Sequence, residues 1–429
     1  MNDTARTLDA TAPAAPTSGG ERLVALDWLR GFAVLGILLA NITVFSNNDV
    51  AYYYPDALPG GAYLSDKLAW LAQFVLVDGK MRGIFTILFG AGMVLFIEKF
   101  GATGKGYVVQ IRRLALLAAF GAAHFYLLFK GDILFSYACA GFFALFAVPL
   151  TARLQLSIGI VWALAGAALQ GFAYVPAALG EAGSASFTND LFTQQFFREF
   201  WEMQLEASRI EGEVIASGSY PDIVAYRVLS ESRMLVSGFV QGFYETIPLM
   251  LIGMGLYRTG VFARGREEGD EERPHWHGLA LAALTLGVVL NVATGLIVFT
   301  SGFPPFLTQL AFFGASQFAN VFVLVGGVPL LARYAMRANE GGLGTRLMAA
   351  GRMAFSNYIG TSLVMMLVFH GWAGGLFGRL HRLELYLVVA LGWLLMLAWS
   401  RPWLDRYRQG PLEWVWRCLS YGRWFPLRR

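Results

Sequence analysis

Few side chains in this sequence have the type and setting to move a proton, and the clearest are His124 and Asp132 in the stretch FGAAHFYLLFKGDILFSYACAGFF. His124 lies near the end of one apolar run. Lys130, Gly131 and Asp132 make a very short turn, and Tyr137 follows early in the next run. A hairpin this tight sets two helix ends side by side, so that Asp132 can orient the imidazole or stabilise its charged form. A base held by a carboxylate is the arrangement that activates a nucleophile. The alternative is that Asp132 caps the second helix and pairs with Lys130, with His124 an interfacial hydrogen bonder. Asn41, in LANITVF, is a lone amide among apolar residues. It reads either as helix–helix glue or as a polar anchor and oxyanion donor at the same depth as His124.

A second set of polar groups is basic. Arg30 lies three residues after Asp27 in LDWLRG, on one helical face. Lys80 and Arg82 interrupt VDGKMRGIFTILFGAG, and Arg352 stands with Asn357 in GRMAFSNY. Ionisable groups at membrane depth are costly and default to functional roles, here as partners for an anionic ligand. Glu245, in QGFYETIPLMLIGMG, is the isolated acidic counterpart. There is no GxGxxG, P-loop, metal-ligand cluster or nucleophile elbow. His275 and His277 fall in a charged stretch that reads as a solvated loop. Cys139 and Cys418 lack the spacing of a metal or disulfide framework, so no metal is expected.

The elements that must position these residues are membrane helices. Of 429 residues, 56% are hydrophobic and 14% charged, against about 25% charged in soluble domains. A soluble core cannot absorb that much apolar surface, whereas a bilayer solvates the outer faces of helices. The spacing predicts an all-α polytopic bundle of about 10–11 spans, near 24–45, 81–98, 113–129, 132–150, 155–178, 235–257, 278–300, 306–332, 350–371 and 383–400. The segment 64–79 carries Asp66, Lys67 and Asp78, and it reads as interfacial or re-entrant. Residues 1–22 read as a disordered tail, and 401–429 as a basic tail.

Between 181 and 232 the chain is polar, yet Phe192, Phe196, Phe197, Phe200 and Trp201 share one helical face. Such a segment suits the membrane surface or the cover of a site. Lys and Arg cluster after the second, sixth and eighth apolar runs and in the C-terminal stretch, while 46–62 contains neither. Ten crossings with both termini in the cytoplasm satisfy this pattern. The protein is thus expected in the cell (inner) membrane, with membrane lipids as neighbours and no nucleic acid as partner. A homodimer is compatible with its small-residue helix faces.

The chain resembles the DUF418, or YeiB-like, family of bacterial membrane proteins along nearly its whole length. The motifs that carry the resemblance are LDWLRGFAVLGILLANI at 26–42, GKMRGIFTILFGAG at 79–92 and RRLALLAAFGAAHFYLLFKGDILFSYA at 112–138. ETIPLMLIGMGLYRTG at 245–260, GRMAFSNYIGTSL at 351–363 and GPLEWVWRCLSYG at 410–422 complete the set. At Arg30–Gly31 and Asn41 it is also similar to transmembrane acyltransferases such as the heparan-glucosaminide N-acetyltransferase family. That resemblance implies transfer of an acetyl group from acetyl-CoA across a membrane to a sugar amine. The catalytic histidine of that family follows the first helix. The corresponding loop here, 46–62, has no histidine, so the role does not carry over and His124 replaces it.

The expectation is an acyltransferase. Cytoplasmic acyl-CoA, its phosphates held by Arg30, Lys80, Arg82 or Arg352, would donate to an extracytoplasmic small-molecule or glycan acceptor at His124, Asp132 and Asn41. The alternative is a transporter or lipid flippase in which His124 with Asp132 or Glu245 forms a relay.

Overall fold

The computed structural model describes residues 24–61, 63–101, 104–181, 191–262, 274–338 and 341–429. The expected tail 1–22 lies outside the described residues. Helix α1 (Val24–Ser46) is followed by the short α2 (Asp49–Tyr53). Helices α3 (Leu64–Leu76) and α4 (Lys80–Glu98) form one stretch, and α5 (Lys105–Leu127) and α6 (Leu134–Ala144) form the tight hairpin. Next come α7 (Ala152–Glu181), α8 (Leu191–Ser217) and α9 (Tyr220–Tyr226), then a π turn at Arg227–Glu231 that leads into α10 (Arg233–Arg258). Helix α11 (Pro274–Thr300) precedes α12 (Pro305–Leu310) and α13 (Ser316–Ala338), which a second π turn joins. The chain closes with α14 (Gly342–Arg352), α15 (Ala354–Phe369), α16 (Arg382–Arg406) and α17 (Pro411–Tyr421).

The fold is an all-α polytopic transmembrane bundle. Among the described residues, eight stretches are long and apolar enough to cross a bilayer. The pair α14–α15, bent by 84° at its break, reaches that length and apolarity only when its two helices are taken together. The remaining apolar helix, Leu134–Ala147, is shorter and reaches only about 21 Å at 1.5 Å per residue.

The segment 64–79 is not a separate element but runs on into the next helix. Leu64–Glu98 is one span of 35 residues, so 64–79 adds no crossing of its own. The charges that made it look interfacial have partners in the fold. Lys67 pairs with Asp56 at 3.1 Å, and Asp78 accepts from Gln73 at 3.2 Å. The break between α3 and α4 falls at Gly79, whose φ of 76° only glycine adopts without strain. Met81 packs against Gly36 in the middle of α1, so this break lies near mid-depth.

Close helix contact explains the glycine of the Arg30–Gly31 pair. A Cβ on Gly31 would run into the backbone carbonyl of Leu347, and one on Gly351 into that of Asp27. The crossing of α1 and α14 therefore leaves no room for side chains, and it brings Arg30 and Arg352 to one end of the bundle. The 401–429 stretch is not a tail. Helix α16 runs on to Arg406, and α17 packs under the bundle with Trp416 Nε1 donating to the Arg113 carbonyl at 3.0 Å.

Candidate active site

Helices α5 and α6 cannot separate at their shared turn, and this holds His124 against Asp132. His124 Nδ1 lies 2.8 Å from Asp132 Oδ1, and both side chains are excluded from solvent. Asp132 Oδ2 also accepts the Phe135 amide at 2.7 Å, capping the start of α6. The two readings of Asp132 are thus both realised, one on each oxygen. Its expected pairing with Lys130 is not.

The other ring nitrogen, His124 Nε2, lies 2.8 Å from Ser362 Oγ on α15. A carboxylate at Nδ1 fixes the proton on that nitrogen, which leaves Nε2 with its lone pair toward the serine. Aspartate, histidine and serine thus stand in the order that activates a hydroxyl. Ser362 was not singled out from sequence, because it lies 238 residues from His124 and in no recognisable nucleophile motif.

Tyr358, one turn before Ser362, covers the imidazole with ring centroids 5.0 Å apart. Its hydroxyl accepts the Ile133 amide at 3.2 Å. Asn41 is half-buried and, among the described residues, is not hydrogen-bonded to His124 or Asp132.

Below this group a cavity of about 1050 Å³ opens. Its inner end is lined by Ile133, Leu134, Tyr137 and Tyr358, and its middle by Phe85, Phe89 and Phe355. At the mouth stand Arg30, Arg113, Arg352 and Lys99, together with Arg408, Arg417 and Arg423 from the α16–α17 region. Asp27 and Glu413 are the lining carboxylates. Seven cations against two carboxylates select for an anion at the mouth, while the aromatic middle selects for an apolar group.

Arg113 is held flat between Phe96 and Trp416, at 4.4 and 4.2 Å from their ring centroids. Its Nε and the Gln409 Oε1 are buried without hydrogen-bond partners. Such groups are costly to leave unmet, and both belong to this cavity's lining. Arg30 also contacts Asp27 at 3.4 Å, as the three-residue spacing predicted.

Lys80 and Arg82, grouped in the sequence with Arg30 and Arg352, do not line this cavity. The α3–α4 break places them near mid-depth instead. Lys80 donates to the Phe74 carbonyl at 2.7 Å and to Asn291 at 3.1 Å, satisfying the end of α3. Arg82 pairs with Glu245 at 2.6 Å, so Glu245 serves Arg82 rather than His124. Arg382, also missed from sequence, is buried close by, with a hydrogen bond to Gln73 at 3.2 Å.

On the His124 side of the bundle, Lys130 binds Asp49 at 2.8 Å, Glu211 at closer range and Glu231 at 3.8 Å. Tyr220 OH donates to the Leu127 carbonyl at 3.0 Å. The polar end of the 181–232 segment therefore covers the end of α5. The aromatic face expected to cover the site lies elsewhere. Trp201 packs on Tyr54, ring centroids 5.1 Å apart, in a separate aromatic cluster with Phe306 and Leu307. The side chains of Phe192 and Phe197 lie outside the described residues.

Burial pushes the Glu211 carboxyl up to about 7, against the pull of Lys130. Burial also raises Glu231. Burial draws the Lys130 ammonium down, but Asp49, Glu211 and Glu231 together outweigh it and hold it above its ordinary value. A carboxyl raised on folding binds its proton earlier in the folded state. Between its ordinary 4.5 and about 7, that state loses stability as pH rises. Hydrogen exchange over 205–231, corrected for intrinsic rates, should show more protection at about pH 5.5 than at about pH 8. Protection that instead grows toward alkaline pH would contradict this assignment.

A family model described as "Protein of unknown function (DUF418)" matches residues 256–423. The uncharacterised protein YxaH of Bacillus subtilis (strain 168) is 27% identical over 431 residues, covering 96% of this chain and 98% of its own. YeiB of Escherichia coli (strain K12), also uncharacterised, is 28% identical over 411 residues, covering 93% and 96%. The C-terminal part of the chain thus matches the DUF418 family, and the two relatives match it nearly end to end. Within the DUF418 match lie Tyr358, Ser362 and the cavity residues of α14 to α17, whereas His124 and Asp132 lie before it. The matches to the two relatives extend over both parts. No solved structure matches it significantly.

Proposed function

We propose that this protein is a membrane acyltransferase that takes an acyl group from cytoplasmic acyl-CoA and passes it to an acceptor reached from the opposite face. The observation that carries this reading is the cavity with a cationic mouth, an aromatic middle and an inner end against Tyr358 and the His124 group. An acyl-CoA has the matching chemistry, with phosphates at one end and an acyl thioester at the other. Arg30, Arg113, Arg352 and Arg417 are the residues to hold the phosphates. Arginine forks suit them better than lysine point charges.

Taking the basic mouth as cytoplasmic makes the membrane the bacterial inner membrane, with lipids around the exposed leucines of α11 and α16. The acceptor is a hydroxyl or amine of a small molecule or glycan. A homodimer is accommodated by the same exposed faces.

The test is equilibrium binding of acetyl-CoA to the full-length protein in nanodiscs. Arg113→Ala and Arg417→Ala should each weaken binding about tenfold or more, and added salt should weaken it further. Affinity unchanged in both variants would remove the cavity from the argument.

A transport reading has one observation in its favour. Two membrane helices are interrupted, α3–α4 at Gly79 and α14–α15 at its 84° bend, and the first break holds the Lys80–Asn291 and Asp78–Gln73 contacts. Broken helices with polar ends are how many transporters bind substrate. Substrate uptake into proteoliposomes with no acyl donor present would favour that reading over acyl transfer.

A further inference from the structure

Resting on the acyl-transfer reading, we infer that Ser362 is a nucleophile that carries the acyl group as a covalent ester between the two faces. Three observations support it. First, the atom at the lone pair of His124 Nε2 is Ser362 Oγ, 2.8 Å away. Second, His124 and Ser362 are 2% and 1% exposed, so before acylation the base faces this hydroxyl and not bulk water. Third, Ser362 stands one helical turn beyond Tyr358, and Tyr358 lines the inner end of the cavity. The serine is thus the first activated oxygen beyond the point where a thioester would stop.

The chemistry closes without a co-reactant. Ser362 Oγ attacks the thioester carbonyl carbon, forming a C–O bond, as its proton passes to His124 Nε2. The tetrahedral intermediate collapses, the C–S bond breaks, and the leaving thiolate takes that proton to become the CoA thiol. An acceptor hydroxyl or amine then attacks the serine ester and gives its proton to His124 Nε2. The ester C–O bond breaks, and Ser362 recovers the proton. Asp132 holds the imidazole in one orientation through both halves and steadies its charged form. A covalent relay also removes the need for donor and acceptor to occupy the site together, so one face can stay closed while the other is open. Tyr358 is the barrier on the CoA side, and its ring must swing aside for the thioester to meet Ser362.

The experiment uses full-length protein in nanodiscs with acetyl-labelled acetyl-CoA and no acceptor. After acid quench, peptide mass spectrometry should find the acetyl group on Ser362. Ser362→Ala should lose the label and lower CoA release by about 10²–10⁴-fold, while acetyl-CoA affinity stays unchanged. Ser362→Cys should carry the label as a thioester at the same position, released by neutral hydroxylamine. This variant decides the matter if the alanine variant does not fold.

Wild-type protein that binds and cleaves acetyl-CoA with its label elsewhere would overturn the serine relay and leave the acyltransferase reading standing. So would a Ser362→Ala variant that cleaves as fast as wild type. Wild-type protein that neither binds nor cleaves acetyl-CoA overturns both.

Discussion

Gly253→Ala, a change of one methyl group, is expected to cost this protein a large share of its stability. Gly253 of α10 faces Ile87 of α4, and a Cβ there would overlap the Ile87 backbone carbonyl. The reciprocal position is Gly90 of α4, whose Cβ would overlap the Met250 carbonyl. Neither obstacle is a flexible side chain. Each is helix backbone hydrogen-bonded into its own turn, so relief requires the two helices to move apart along their shared seam. Around that seam Ile87, Met250, Ile252 and Met254 are fully buried, and separation would leave unfilled space among them.

Overpacking typically costs about 1–3 kcal/mol when side chains can give way, and here they cannot. The expected loss exceeds that range, a large share of a marginal total of about 5–15 kcal/mol. Gly360 of α15 is the control, since a Cβ there meets nothing within 4 Å. Gly360→Ala should be neutral, or more stable by up to about 1 kcal/mol from helix propensity. Thermal melting and size-exclusion profiles of the two variants in detergent provide the comparison. Equal melting temperatures would show that the α4–α10 seam yields more easily than its geometry implies.

His124→Ala is expected to lower acetyl-CoA cleavage by about 10²–10⁴-fold, the usual contribution of a positioned base. Acetyl-CoA affinity should stay within about twofold, because the cavity mouth and the imidazole stand at opposite ends of the binding space. Asp132→Asn should lower the rate as well. It removes the charge that steadies the imidazolium while keeping an acceptor for Nδ1–H. A purely structural His124 would give the opposite pattern, with binding and thermal stability lost together and no selective effect on cleavage. Measuring affinity and rate on the same preparations separates the two. Full cleavage by His124→Ala would exclude it as the base.

Much of the architecture was legible because a bilayer imposes a one-dimensional code. A span must be apolar for about 20 residues, and its flanks carry the charge bias. Those demands act on composition along the chain, so helices such as α1, α10 and α16 can be read without knowing their neighbours. The charged residues of 64–79 misled the reading for the same reason. Asp66, Lys67 and Asp78 look like an interface when taken alone, and only the fold shows the segment running on into α4 as one apolar stretch.

The candidate site divides along the same line. His124 and Asp132 were legible because a short connection holds the ends of their helices together, whatever the rest of the fold does. The grouping of Lys80 and Arg82 with Arg30 and Arg352 failed because residue type says nothing of depth, and the kink at Gly79 sets that depth. Ser362, Tyr358 and Arg113 were not legible at all. Each acquires its role from a helix more than a hundred residues away in sequence, through packing that no local pattern encodes.

The sequence by itself therefore determined that the chain is a membrane bundle and that a histidine and an aspartate stand at one tight hairpin. Tertiary structure alone decided what that hairpin faces, a serine on one side and a cationic cavity beyond a tyrosine. The physical reason is that hydrophobic periodicity and turn length act between near neighbours. Ligand-sized space, by contrast, is left over when distant helices pack, and its shape is a property of the whole assembly.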